Sequence, residues 1–169
     1  MLFRSSEATT AAADVGWRAA AANLSDLAAM GCGEVVGLTV GLVAPGSTPW
    51  PWVEGVYTGL GEALERYGGV LLGGDCSGGE QRLLAVTALG RLDGAGGAIR
   101  RRDGRPGDRL LCTGPHGLSR LGLALLQEPE PPRDGTRGET AAQGVDPALA
   151  QRAIAAHRRP LPRFDAVRA

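Results

Sequence analysis

At 169 residues, with 18 basic against 18 acidic side chains and 43% hydrophobic composition, the chain can form one ordinary domain with a sizeable core, or one domain and part of a second. The balanced charge provides no global field to attract nucleic acid or an anionic membrane, so neither is expected as a partner. No apolar run approaches the roughly 18 residues needed to span a bilayer, and Ser5, Ser6 and Glu7 stand where a signal peptide needs an apolar stretch. Cys32, Cys76 and Cys112 are odd in number and lack C-x-x-C spacing. That argues against a disulfide framework and a zinc site, and fits a reducing cytoplasm.

In chain order, Trp17, Ala20, Leu24, Leu27 and Met30 recur at helical spacing and predict a helix over residues 15–30, stopped by Gly31. Asn23 and Asp26, three apart, share one of its faces. The β-branched Val35, Val36, Thr39 and Val40 predict a strand over 34–43, ended by Pro45-Gly46. A second helix is expected over 50–67, with Val53, Val56, Leu60 and Leu64 on one side. A short buried strand over 70–72 then runs into Gly73-Gly74-Asp75, and another strand over 83–89 follows a turn at Ser77-Gly78-Gly79. The order β-α-β-β points to an α+β fold with a mixed sheet packed against helices.

Residues 93–97 read as a glycine loop, and Pro106-Gly107-Asp108 as a turn into a strand over 109–113. A helix is expected over 117–127, an exposed Pro/Gly/Glu/Arg-rich loop over 128–144, and a last helix capped by Asp146-Pro147 and reaching His157.

Two aspartates lead the list of chemistry-bearing residues. Asp26 lies among small apolar residues, so the helix should be packed on most sides and its carboxylate costly unless paired or bound to a cation; the alternative is a surface or capping aspartate. Asp75 follows two glycines that let backbone approach a ligand, a position suited to magnesium in phosphoryl transfer; the alternative is a turn in which it accepts hydrogen bonds from its own loop. Arg100, Arg101 and Arg102 could clamp phosphate oxygens or simply form a solvated face. Cys76 reads as a packed thiol, and His116 as a loop residue with no partner near it in sequence. Walker, dinucleotide-binding, nucleophile-elbow and zinc-protease motifs are all absent.

Gly16-Trp17-Arg18-Ala19 leading into Asn23-Leu24-Ser25-Asp26-Leu27-Ala28-Ala29-Met30-Gly31 resembles the thiamine-monophosphate kinases. The same order continues through Gly73-Gly74-Asp75, Val86-Thr87-Ala88-Leu89-Gly90, Arg101-Arg102-Asp103-Gly104, Thr113-Gly114 and His157-Arg158-Arg159-Pro160. The resemblance implies transfer of the γ-phosphoryl group of ATP to thiamine monophosphate with Mg²⁺ ions, on the aminoimidazole-ribonucleotide synthetase-like fold of two α+β domains, with N-terminal domains pairing as a homodimer. It implies that Asp26 and Asp75 are magnesium ligands, and that Gly74, Asp75, Tyr57 and Arg102 contact nucleotide. Residues 1–107 would be a partial N-terminal ATP- and magnesium-binding domain, and 108–169 the start of a C-terminal one.

The sequence departs from the family at Cys76, where threonine is usual, and at His116, where leucine is common. Metal-ligating segments that the family carries before and after the stretch matched here lead to the expectation of an incomplete site, a nucleotide-binding fragment of low activity and an unpaired, aggregation-prone sheet edge. Selenophosphate synthetases and aminoimidazole-ribonucleotide synthetases share the fold and ATP use, but the Asn-Leu-Ser-Asp segment and the Arg-Arg-Pro segment favour the kinase.

Overall fold

The computed structural model describes residues 10–93, 97–112, 114, 116–127 and 144–167. Its elements in chain order are α1 (Ala12–Ala29), β1 (Cys32–Ala44), α2 (Trp50–Tyr67), β2 (Val70–Gly78), β3 (Leu83–Leu92), a 3-10 turn (Arg101–Asp103), α3 (Leu118–Leu126), α4 (Pro147–Arg158) and α5 (Phe164–Val167). They divide into two compact units, residues 1–111 with 161–169, and residues 112–160.

In the first unit the described strands form a three-stranded sheet in the order β2-β1-β3. β2 runs parallel to β1 and β3 antiparallel to it. The parallel pair requires a crossover, which α2 supplies. Leu38, Val40 and Leu42 of β1 are buried with Leu84 of β3 against Trp17, Ala20 and Leu24 of α1 and Val56, Leu60 and Leu64 of α2. Burying a leucine of this kind contributes about 2 kcal/mol. α1 and α2 approach closely enough that a Cβ at Gly16 or Gly59 would run into the other helix's backbone. Alternation along β3, with Leu84 buried and Leu83, Ala85, Thr87 and Leu89 exposed, leaves the opposite sheet face uncovered.

α5 also belongs to this unit. Its Phe164 ring lies 5.7 Å from that of Tyr67, which lies 6.2 Å from Trp17. In the second unit, α3 and α4 pack together, and buried His157 of α4 holds its Nδ1 3.1 Å from the Ser119 carbonyl oxygen and 3.3 Å from the Ser119 hydroxyl. Asp146 caps α4 as expected, accepting a hydrogen bond from the Leu149 amide at 3.0 Å.

Three expectations are corrected. The buried strand expected over 70–72 is exposed along its whole length and runs on to Gly78, so Asp75 lies within β2 rather than after it. Residues 109–112 form no strand: Leu110 and Leu111 are 99% and 81% exposed, and no described strand pairs with them. β-propensity without a ladder partner does not make a strand. The last turn of α1 is not packed on most sides, since Ser25, Asp26, Ala29 and the following Met30 are exposed. The loop expected over 128–144 and the tip of the glycine loop, 94–96, lie outside the described residues apart from Gly144.

Candidate functional site

β2 carries the centre of the candidate site. Its register against β1 pairs Gly73 with Thr39, Gly74 with Val40, Asp75 with Gly41 and Cys76 with Leu42. Leu71 pairs with Leu38, so Leu72 is the extra residue of a bulge, and Gly73 beyond it takes a φ of 149° that side-chain-bearing residues disfavour. A Cβ on Gly74 would press into the Val40 peptide, with the carbonyl carbon 2.9 Å away and the oxygen nearer still. Gly74 is thus explained by the neighbouring strand and Gly73 by its own backbone angle, without a ligand.

Because successive strand residues point to opposite faces, Asp75 and Ser77 share the face opposite Cys76. Cys76, paired with buried Leu42, points towards the helices: its Sγ is 3.9 Å from the Tyr57 hydroxyl of α2. Partial burial pushes the Tyr57 phenol above its ordinary ionisation range, with the thiol contact adding to the rise. On the uncovered face the Ser77 hydroxyl donates to Asp75 Oδ2 at 2.7 Å. This presents an exposed carboxylate and a hydroxyl side by side, both hard oxygen donors of the kind magnesium takes. Among the described residues no three His, Cys, Asp or Glu side chains are grouped for a metal. That set suits a cation completed by phosphate oxygens and water better than a closed protein cage.

Arg102 lies in the 3-10 turn, whose backbone is fixed at both ends: the Arg100 amide donates to Asp103 Oδ2 at 2.9 Å and the Asp103 amide to the Arg100 carbonyl at 3.0 Å. The Arg105 amide to Asp108 Oδ2 bond, 2.7 Å, repeats the device five residues on. The aspartates hold backbone, and the Arg101 and Arg102 side chains remain exposed. The Ile99 amide donates to the Met30 carbonyl at 3.0 Å, which anchors the segment leading to this turn at the C-terminal end of α1. Asp26 lies one turn before Met30, exposed, and its carboxylate has no hydrogen-bond or ion-pair partner among the described residues, so the desolvation argument for a bound cation there does not hold. Asn23 on the same face donates to the Ala19 carbonyl at 2.8 Å.

The structure therefore brings Tyr57 to the strand segment holding Gly74 and Asp75, and the Arg102 turn to the end of α1 that carries Asp26. Among the described residues no hydrogen bond or ion pair joins these two groups. Ser77 was not anticipated as a partner of Asp75. Its signal was the i, i+2 spacing, visible only once the segment is known to be a strand.

Residues 1–92 match the family model of the AIR synthase related protein, N-terminal domain. Over 163 residues, 96% of this chain and 46% of the relative, the chain is 50% identical to the thiamine-monophosphate kinase of Prochlorococcus marinus. It is 46% identical over 163 residues, 96% of this chain and 45% of the relative, to that of Synechococcus elongatus. Among solved structures, thiamine monophosphate kinase from Aquifex aeolicus superposes with a TM-score of 0.75 at 28% identity, covering 93% of this chain and 48% of that one. AaThiL complexed with AMPPCP and TMP superposes with a TM-score of 0.64 at 28% identity, covering 93% and 45%. The chain spans about half the length of the curated relatives it matches. With an α+β mixed sheet and a family model matched over more than half its length, the chain belongs to the AIR synthase related proteins.

Proposed function

We propose that this chain supplies part of an ATP-dependent kinase that phosphorylates thiamine monophosphate to thiamine diphosphate. The observation that carries the reading is the 50% identity to a thiamine-monophosphate kinase across 96% of the chain. In keeping with it, a structural neighbour binds AMPPCP, a non-hydrolysable ATP analogue, together with TMP.

In this reading Asp75 and Asp26 are ligands for Mg²⁺, which when bound neutralises charge on the phosphates so that one phosphate oxygen can attack another phosphorus. The exposed Asp75 carboxylate and its Ser77 hydroxyl offer that ion oxygen donors. The Gly74 backbone and Tyr57 flank the nucleotide, and the exposed guanidinium of Arg102 forks onto phosphate oxygens. Because the Asp103 and Asp108 carboxylates hold their own turns, the arginines reach anions from a backbone already ordered.

Residues 1–107 are assigned to the ATP- and magnesium-binding N-terminal domain, and 108–169 to the start of a C-terminal one, of which the stretch from Leu161 folds with the first unit. A cytoplasmic homodimer completes the reading. In its support, no helix among the described residues is long and apolar enough to cross a membrane, and the uncovered sheet face exposes Val70, Leu83 and Leu89 at 59%, 38% and 46%.

The test is isothermal titration of the chain with AMPPCP, with and without Mg²⁺, repeated on Asp75→Asn. Magnesium-dependent binding weakened at least about tenfold by Asp75→Asn is expected, since a charge-assisted ligand is lost. Binding indifferent to both magnesium and the substitution would overturn the assignment of Asp75. A coupled assay of ADP release dependent on thiamine monophosphate then separates turnover from nucleotide binding alone.

A further inference from the structure

The three cysteines sit in three different surroundings. Cys32 is buried, 2% exposed, with its Sγ 3.1 Å from the Glu34 carbonyl oxygen. Cys76 is exposed and has a phenol, a weak acid, 3.9 Å away. Cys112 is exposed, and its Sγ lies 3.2 Å from Nε2 of the equally exposed His116. An imidazole is the one side chain that takes up and returns a proton readily near neutral pH. With its own proton on Nδ1, Nε2 accepts the S–H. The residues before the pair, Leu110 and Leu111, are exposed as well.

We propose that Cys112 and His116 form a thiol–imidazole pair that makes Cys112 a site of reversible mixed-disulfide formation with small disulfides. The step balances within the pair and its reagent. The Cys112 thiol proton passes to His116 Nε2 as the sulfur attacks one sulfur of the disulfide. The S–S bond of the reagent breaks, a new S–S bond joins it to Cys112, and the departing thiolate takes the proton back from the imidazolium and leaves as a thiol. Excess thiol runs the same exchange backwards. The proposal is independent of the kinase reading, because it uses none of the residues assigned to nucleotide or magnesium.

The test incubates the full chain, free of reductant, with 2-hydroxyethyl disulfide, which is small and uncharged and so blind to the surrounding arginines. Peptide mass mapping follows the adduct at each cysteine with time. Cys112 is expected to react about tenfold faster than Cys76, below the roughly hundredfold at which positioned general bases typically start because this pair is open to water, while Cys32 stays unmodified. His116→Gln keeps a hydrogen-bonding group but takes up no proton. It should bring Cys112 to within about twofold of Cys76 without altering the rate at Cys76. A wild-type Cys112 no faster than Cys76, or one whose rate survives His116→Gln, overturns the proposal.

Discussion

Gly74→Ala separates two explanations of the Gly-Gly-Asp segment. On the structure, glycine is required because β1 lies against it: a Cβ at Gly74 would be 2.9 Å from the Val40 carbonyl carbon and nearer still to its oxygen, with the Val40 nitrogen at 3.2 Å. Ordinary contact with that oxygen needs a retreat of β2 by about 1.5 Å, against an interstrand spacing of about 4.8 Å. Such a shift breaks about two ladder hydrogen bonds, at about 1 kcal/mol each, and adds strain of about 1–2 kcal/mol. The sum is about 3–4 kcal/mol, or a fall in Tm of about 10 °C for a chain of this size. Thermal unfolding followed by circular dichroism, without ligand, reads it. Gly78→Ala is the control, since nothing lies within 4 Å of its Cβ position. If glycine is there to admit a ligand, Gly74→Ala should keep its Tm within about 2 °C and lose AMPPCP binding. That result would refute the strand-contact account.

Phe164→Ala should detach α5 from the Trp17–Tyr67 pair and cost about 1–2 kcal/mol, read as a lower denaturant midpoint. Asp146→Ala removes the cap on the Leu149 amide and should cost about 1 kcal/mol, visible as faster amide exchange confined to the first turn of α4. Burial raises the ionisation of both Tyr57 and Tyr67 above the usual 10.0. The native state therefore holds their protons longer than the unfolded chain, and the stability they contribute is complete below that pH and lost as pH climbs past it. Absorbance titration of the phenols should show both ionising later in the folded than in the denatured chain. Arg102→Ala should weaken AMPPCP about tenfold while leaving adenosine binding unchanged, because a guanidinium fork reads phosphate; equal losses for both ligands would place Arg102 elsewhere.

Where side chains alone decide an element, the sequence sufficed. The apolar stripe of Val56, Leu60 and Leu64 marks the helix from Trp50 to Tyr67. What escaped were contacts made by backbone. Gly73, Gly74 and Asp75 have poor strand propensity, so the strand was expected to stop at Leu72, whereas the parallel ladder to β1 carries it to Gly78. Leu110 and Leu111 have the opposite fault: apolar residues in a strand-like run, with no described strand to pair with. Alanines near Asp26 suggested burial, yet Ala29 is exposed beside it, because alanine sits in helices for its propensity as much as for its apolarity.

The residues of the candidate site come together by the same backbone logic. Tyr57 and Cys76 are nineteen apart in sequence, and only the β1-α2-β2 crossover, which returns the chain parallel to β1, lays the middle of α2 over the second half of β2. The crossover therefore settles two things at once. It turns Cys76 towards α2, where the sequence's departure from threonine meets a tyrosine hydroxyl, and by the alternation of the strand it turns Asp75 and Ser77 to the uncovered face. A residue inserted between Gly74 and Asp75 would exchange those faces, turning the carboxylate towards Tyr57. The bulge at Leu72 already sets that register upstream, so the Gly-Gly pair serves the candidate site indirectly: Gly73 takes the backbone angle that follows the bulge, and Gly74 lets β2 sit close against β1 with the next carboxylate facing outward.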